Sequence, residues 1–271
     1  AKAEQKARAI FNKIAYPDKW KTYDGLVIDR QSFLGNFWRS VSYETDRDLR
    51  KIGKPLDRGE WRMTPPTVNA YYSSQLNTIN FPAGILQPPY FDPSKDESVN
   101  YGAIGGIIGH EIIHGFDRRG RWRDGTGALH SGWTEASIRA FDERAACVRA
   151  QSDATPVVGG MTVNGAATLD EDLADLGGLR LALLALQERL RNHPEPSSPG
   201  LSPEQQLFLG WGQLWCTKAS AEAANALLAL DVHAPHPVRV NAPLRNLPEF
   251  ARAFGCPASA PMVAHPRCEV W

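Results

Sequence analysis

Apolar positions along the chain repeat with helical spacing in some stretches and alternate in others. Within residues 3–14, Ala3, Ala7, Ile10, Phe11 and Ile14 recur at the intervals of one helix face. Phe33, Leu34, Phe37, Trp38 and Val41 make a second stripe of the same kind. Both stripes predict faces turned into a core. Pro65 and Pro66 then stop helix formation. Residues 67–72 and 76–81 alternate in part and are rich in β-branched and aromatic side chains. They predict a β-pair whose edge strand is available to an extended peptide. Pro82-Ala83-Gly84 ends the second run, and residues 85–91 form an apolar, proline-punctuated loop.

Helical spacing returns over residues 98–116, with an end near Gly120 and a Gly- and Asp-rich loop after it. Trp133-Thr134-Glu135 opens a helix carrying Ile138, Phe141, Ala145 and Val148. A long helix beginning near Thr168 keeps Leu169, Leu173, Leu176, Leu179, Leu183, Leu186 and Leu190 on a spacing of three or four. Residues 193–200 read as a linker. Ser202 and Pro203 cap a helix bearing Leu207, Phe208, Leu214 and Trp215. A short helix over residues 246–254 stops at Gly255. The expected fold class is mainly α with a small β-sheet. One unit spans 1–271, with a helical lead-in over about 1–60, a site-bearing core over about 61–192 and a C-terminal helical part over about 201–271. No internal repeat is visible.

Charge changes this picture little but excludes partners. Lys plus Arg and Asp plus Glu both number 30. That balance gives no electrostatic case for nucleic acid or an anionic membrane. No run of about 18 apolar residues exists to span a bilayer. The charged first residues lack the apolar core of a signal peptide, so any targeting segment is expected to be removed or to lie upstream. Cys147, Cys216, Cys256 and Cys268 are widely separated, with no C-x-x-C pair. They fit disulfides of an extracytoplasmic, oxidising compartment better than a metal cluster.

The candidate chemistry lies in His110-Glu111-Ile112-Ile113-His114. On a helix, positions i and i+4 share a face, so both imidazoles reach one metal ion. Glu111 then projects toward a water on that metal as general base. Residues 101–109 are apolar and glycine-rich, which suits a buried helix. A catalytic zinc takes three protein ligands and keeps one open position. Gly120 stands six residues after His114, where a metzincin would have its third histidine. Glu171 is the better candidate, with Asp175 one turn on to receive the free N–H of a ligand histidine. Thr168-x-x-Glu171 is also a capping box, and spacing leaves ligand and cap both open.

Together these segments resemble the neprilysin family of zinc metallopeptidases. The resemblance is carried by residues 69–72, residues 81–89, the H-E-x-x-H block and Glu171-x-x-x-Asp175. Asp231-Val232-His233-x-Pro235, Arg239-Val240-Asn241 and Cys268-Glu269-Val270-Trp271 add to it. It implies a thermolysin-like (gluzincin) catalytic domain that holds one zinc ion on His110, His114 and Glu171. Glu111 is then the base and Asp175 the carboxylate behind a ligand. Asn69 and Ala70 bind the substrate backbone, His233 stabilises the transition state and Arg239 grips a substrate carbonyl. Ile85, Tyr90, Ile107 and Trp215 line the pocket for the residue after the cut, so oligopeptides would be cut before hydrophobic residues. The resemblance further implies a Cys147–Cys268 bridge. It pairs Cys216 and Cys256 with an N-terminal region that roofs the site in the family and is expected to be missing here, or to come from a separate segment or chain. Asp170 and Asp172 depart from the family's Gly and Asn, and would raise the pKa of Glu171 by like-charge repulsion. Arg118 stands where the family has Asp. His236, three residues after His233, leaves open which of the two faces substrate. Two other readings stay open: a zinc-binding but inactive interaction module, and a non-peptidase hydrolase.

Overall fold

The computed structural model describes residues 2–193 and 200–271, so the expected linker falls largely outside the described residues. Helix α1 (Lys2–Arg8) leads into strand β1 (Phe11–Ala15). The single helix expected over residues 3–14 therefore ends early. Residues Phe11 to Ala15 pair in parallel with residues 78–82, and a distant ladder thus overrides a local helical period. Helix α2 (Phe33–Leu49) forms as predicted, with Ser32 accepting from the Gly35 N–H at its start. None of its residues is buried, and Phe33 is 88% exposed. The stripe read as core faces outward. Spacing specifies an apolar face but not what covers it.

The expected β-pair forms from β2 (Tyr71–Ser73) and β3 (Thr78–Pro82), antiparallel, with Tyr72 opposite Ile79. The strand order β1-β3-β2 buries β3 throughout and leaves β2 at an edge. Helix α3 (Glu97–Asn100) continues through a π-helical segment (Tyr101–Gly105) into α4 (Gly106–Ile113). A Cβ on Gly102 in that segment would stand 1.8 Å from the Leu207 carbonyl oxygen, so only glycine permits this approach.

Helix α5 (Glu135–Asp153) packs on α6 (Gly165–Asn192), the longest element. Helix α6 begins at Gly165 with Asn164 as its N-cap, one turn earlier than expected. Leu173, Leu179, Leu183 and Leu186 are all buried along it. Leu179, Leu183 and Leu186 meet Leu207, Phe208 and Trp211 of α7 (Pro203–Leu214) in the main core. Ser202 and Gln205 close the predicted cap of α7 as a capping box. Two helices lie where none was expected, α8 (Ala221–Leu230) and α9 (His236–Asn246). Helix α10 (Pro248–Ala253) ends before Gly255, which adopts φ +62°.

A smaller core joins α5, α6 and the C-terminal segment around Phe141, Val148, Leu173 and Val270. The Cys147–Cys268 disulfide closes it, 121 residues apart in sequence, and Cys216 and Cys256 are unbonded. Removing the bridge with Cys147→Ser and Cys268→Ser together is expected to cost about 5 kcal/mol by the chain-entropy account. Urea unfolding of the two proteins under non-reducing conditions measures this. An unchanged midpoint would mean that the bridge constrains little.

Candidate functional site

Helices α4 and α6 cross with backbone against backbone. A Cβ on Gly109 would lie 2.3 Å from the Gly178 carbonyl oxygen, and one on Gly178 would lie 2.3 Å from the His110 nitrogen. This approach sets His110 and His114 beside the first turns of α6. There His114 Nε2 lies 3.0 Å from His110 Nε2. Glu171 Oε2 lies 3.2 Å from His110 Nε2 and 3.5 Å from His114 Nε2. His233 Nε2 is 3.2 Å from the same oxygen.

The second nitrogen of each ring fixes its role. His110 Nδ1 lies 2.8 Å from Asp175 Oδ1, and His114 Nδ1 lies 2.9 Å from Asp117 Oδ2. A carboxylate only accepts, so each Nδ1 carries the proton and each Nε2 presents a lone pair. Two lone pairs and a carboxylate oxygen therefore converge. Glu171 Oε2 is enclosed, yet no N–H reaches it in hydrogen-bonding geometry. Such a knot of electron pairs in a buried place calls for a cation. His110, His114 and Glu171 have the donor set and proximity to hold one. Without a cation, burial opposes protonation of His110 and His114, but the carboxylates outweigh it and raise both pKa values. Burial likewise pushes Glu171 upward, and the three imidazoles more than offset it and hold the carboxyl well below its ordinary range.

The expected repulsion from the neighbouring aspartates does not arise. Asp170 accepts both Nε and Nη2 of Arg118, at 2.8 and 3.1 Å. Asp172 is pushed up to about 6 by burial, although Ser152 and Thr168 hydroxyls donate to it. The capping-box alternative fails as well. Thr168 lies inside α6, and its hydroxyl serves Asp172 rather than a helix end.

Behind the histidines the carboxylates are themselves held. Arg239 donates from Nε and Nη2 to Asp175, both at 2.7 Å, and its guanidinium lies 3.8 Å over the Trp215 ring. Asp117 Oδ1 accepts the backbone N–H groups of Arg119 and Gly120. Lys6 of α1 is buried beneath that turn. Its ammonium donates to the carbonyls of Gly115, Gly120 and Arg123 at 2.6 to 2.7 Å. The sequence reading takes Lys6 only as part of a charged N-terminal segment and gives Asp117 no role. The three-residue spacing from His114 to Asp117 was the available signal for the latter.

Glu111 is buried at the floor of a cleft of about 500 Å³. Burial, first of all, raises its pKa above the ordinary 4.5. Ile85, Tyr90, Ile107 and Trp215 line this cleft, as do Asn69, Ala70, His233 and Arg239, while Asp175 lies outside its lining, behind the His110 ring. His233 and His236 differ in surroundings. His233 Nδ1 donates to Asp231 at 2.7 Å while its Nε2 faces Glu171. The adjacent Glu171 raises the His233 pKa despite partial burial. His236 instead pairs with the Thr217 hydroxyl at 2.7 Å and packs on Trp215.

The chain is 42% identical over 279 residues to an endothelin-converting enzyme homolog of Locusta migratoria, across 99% of this chain and 38% of that protein. It is 40% identical to neprilysin-11 of Caenorhabditis elegans, across all of this chain and 34% of that protein. It thus spans little more than a third of these relatives. Among solved structures, the inhibitor complex of zinc metalloprotease Zmp1 from Mycobacterium tuberculosis superposes with a TM-score of 0.92 at 43% identity. This chain is covered completely and 42% of Zmp1 is matched. PepO from Lactobacillus rhamnosis gives a TM-score of 0.87 at 35% identity, with the same coverage. The family model for peptidase family M13 matches residues 69–270, from the residue at the lip of the cleft to the residue before the last. A match over that much of the sequence makes this chain a member of peptidase family M13.

Proposed function

We propose that the chain is the catalytic part of a zinc-dependent endopeptidase that cuts oligopeptides on the amino side of hydrophobic residues. The observation that carries this reading is the convergence of two histidine lone pairs and Glu171 beside a buried Glu111 in one cleft. His110, His114 and Glu171 would hold zinc, with Asp175 and Asp117 fixing the two rings. When bound, zinc supplies a Lewis acid and lowers the pKa of its water to about 7. Glu111, raised by burial, accepts a proton from the attacking water and passes it to the leaving amine. His233, whose pKa the adjacent Glu171 raises, donates to the developing oxyanion. Loss of such a donor typically costs roughly 100- to 1,000-fold in rate. Asn69, Ala70 and the β2 edge align an extended peptide, and Arg239 holds one of its carbonyls. Ile85, Tyr90, Ile107 and Trp215 receive the hydrophobic side chain after the cut.

Metal content tests the first half of this reading. The protein is expected to hold one zinc, and His114→Ala or His110→Ala to lose it. Because the carboxylates raise both histidines, protons compete with the metal, and occupancy should fall as the pH drops. Full zinc occupancy in the double variant would remove the assignment. Mass spectrometry of a digested peptide library tests the second half. Cuts are expected before Phe, Leu or Ile, and Trp215→Ala should weaken that preference. Cuts after basic residues would contradict it.

The bare stripe of α2 and the unbonded Cys216 and Cys256 support contact with the further region that the longer relatives carry. The disulfide supports an extracytoplasmic location. Among the described residues, no helix is long and apolar enough to cross a membrane.

A further inference from the structure

Arg119 lines the cleft just beyond the C-terminal end of α4, whereas Ile107 of the apolar pocket lies in the first turn of that helix, and nothing in the mechanism uses Arg119. Its side chain is 84% exposed, and the residue lines the cleft. The backbone beneath it is nevertheless fixed. Its own N–H and that of Gly120 donate to Asp117 Oδ1, while Asp117 Oδ2 meets the His114 ring. A Cβ on Gly120 would fall 1.9 Å from the His114 carbonyl oxygen, so the turn folds back tightly under His114. Arg119 is therefore held close to the metal-binding histidines on a tight turn, with a solvated cation at its tip.

The charge there is not balanced. Asp170 already accepts two hydrogen bonds from Arg118, and its contact with Arg119 is a single approach of 3.4 Å. One carboxylate faces two guanidiniums, which leaves a unit positive charge at this end. The neighbouring Asp117 is buried, is committed to His114 and to backbone N–H groups, and has its charge opposed by the Lys6 ammonium beneath the same turn. The direction follows from α4. Ile107 lies seven residues before His114, about 10 Å along the helix at 1.5 Å per residue, whereas Arg119 follows His114. The apolar pocket and the surplus cation thus flank the two histidines from opposite sides.

We infer that Arg119 is a specificity-determining residue that selects peptides with an acidic side chain on the amino side of the scissile bond. The inference rests on the reading above, in which the Ile107 end takes the residue after the cut. A substrate then combines Glu or Asp shortly before the cut with a hydrophobic residue after it. An exposed ion pair contributes modestly, so exchanging Glu for Lys in the peptide should alter binding by about 5-fold, and less at high salt.

Binding tests this without requiring turnover. The probes are fluorescein-labelled peptides of sequence Gly-Ala-Ala-X-Ala-Leu-Ala-Ala-Gly, with X as Glu, Gln or Lys. They are titrated by anisotropy into zinc-loaded Glu111→Gln protein with Arg119 intact or changed to Glu, Gln or Lys. The expected order with Arg119 is Glu, then Gln, then Lys. Arg119→Lys should preserve it, Arg119→Gln flatten it and Arg119→Glu reverse it. All four proteins should keep equal zinc content and circular dichroism, since the side chain is solvated. Equal affinities for the three peptides, no binding of any of them, or an order unchanged in Arg119→Glu would overturn the inference. Turnover of the X = Glu peptide by protein with Glu111 intact reports separately on the peptidase reading.

Discussion

Asp175→Ala is expected to lower the stability of the protein by about 3–5 kcal/mol and to weaken zinc binding 10- to 100-fold. Both effects have one origin. Asp175 is 1% exposed and accepts from Arg239 twice and from His110 once. Removing it leaves a buried guanidinium without its counter-charge, which is far more costly than never having built the pair. It also frees the His110 ring to rotate or change tautomer, so the Nε2 lone pair is no longer aimed at Glu171 and His114. Asp175→Asn retains an acceptor without the charge and should fall between the two. The pH dependence has a definite sign. Burial pushes the Asp175 carboxyl up, but Arg239 and His110 outweigh it and depress its pKa. The pair therefore contributes stability that is full above the ordinary carboxylate value of 3.8, and is lost as pH falls through the lower folded value. Urea unfolding and competition with a chromophoric chelator measure the two losses. A variant as stable and as tight as the parent would show that Arg239 and His110 need no carboxylate between them.

Glu111→Gln is expected to lower kcat by roughly 100- to 10,000-fold while leaving zinc stoichiometry unchanged. The carboxylate lies at the cleft floor, buried, and the amide copies its shape without its basicity. Folding should not suffer, because a buried neutral amide needs less solvation than a buried charge. Burial raises the Glu111 pKa above 4.5, so the acid limb of the kcat/KM profile should lie above that value in the parent enzyme and be missing in the variant. Single-turnover assays with a Leu-containing peptide, paired with metal analysis, separate the effects. Equal rates would sink Glu111 as the base, and lost zinc would make it a structural support.

The parts of this site that a reader of the sequence could see are those encoded locally. Two histidines four apart on a helix share a face whatever surrounds them. Glu171 was harder, because the start of α6 was placed near Thr168, where a glutamate three residues on reads as a cap. Asn164 takes that position, and the correct boundary removes the ambiguity. Residues Phe11 to Ala15 show the opposite case. Their spacing is compatible with a helix, and only a strand more than 60 residues away decides otherwise. Lys6 and Asp231 serve partners that the pattern along the chain does not mark. Helix α9 was not anticipated, although Pro235 and Pro237 stand at its start, where proline belongs.

The π-helical segment between α3 and α4 makes this stretch sensitive to length rather than to composition. It carries one residue more per turn than an α-helix, and close contacts fix the chain on both sides of that surplus. Gly102 sits against Leu207 within the segment, and Gly109 crosses Gly178 beyond it. Deleting a single residue between them would shorten the helix and change the angle between the two glycines. Either contact could then be kept, but not both. Side chains along residues 101–109 are therefore expected to be exchangeable within the room available, whereas a one-residue gap in that interval should dislodge one of the two contacts.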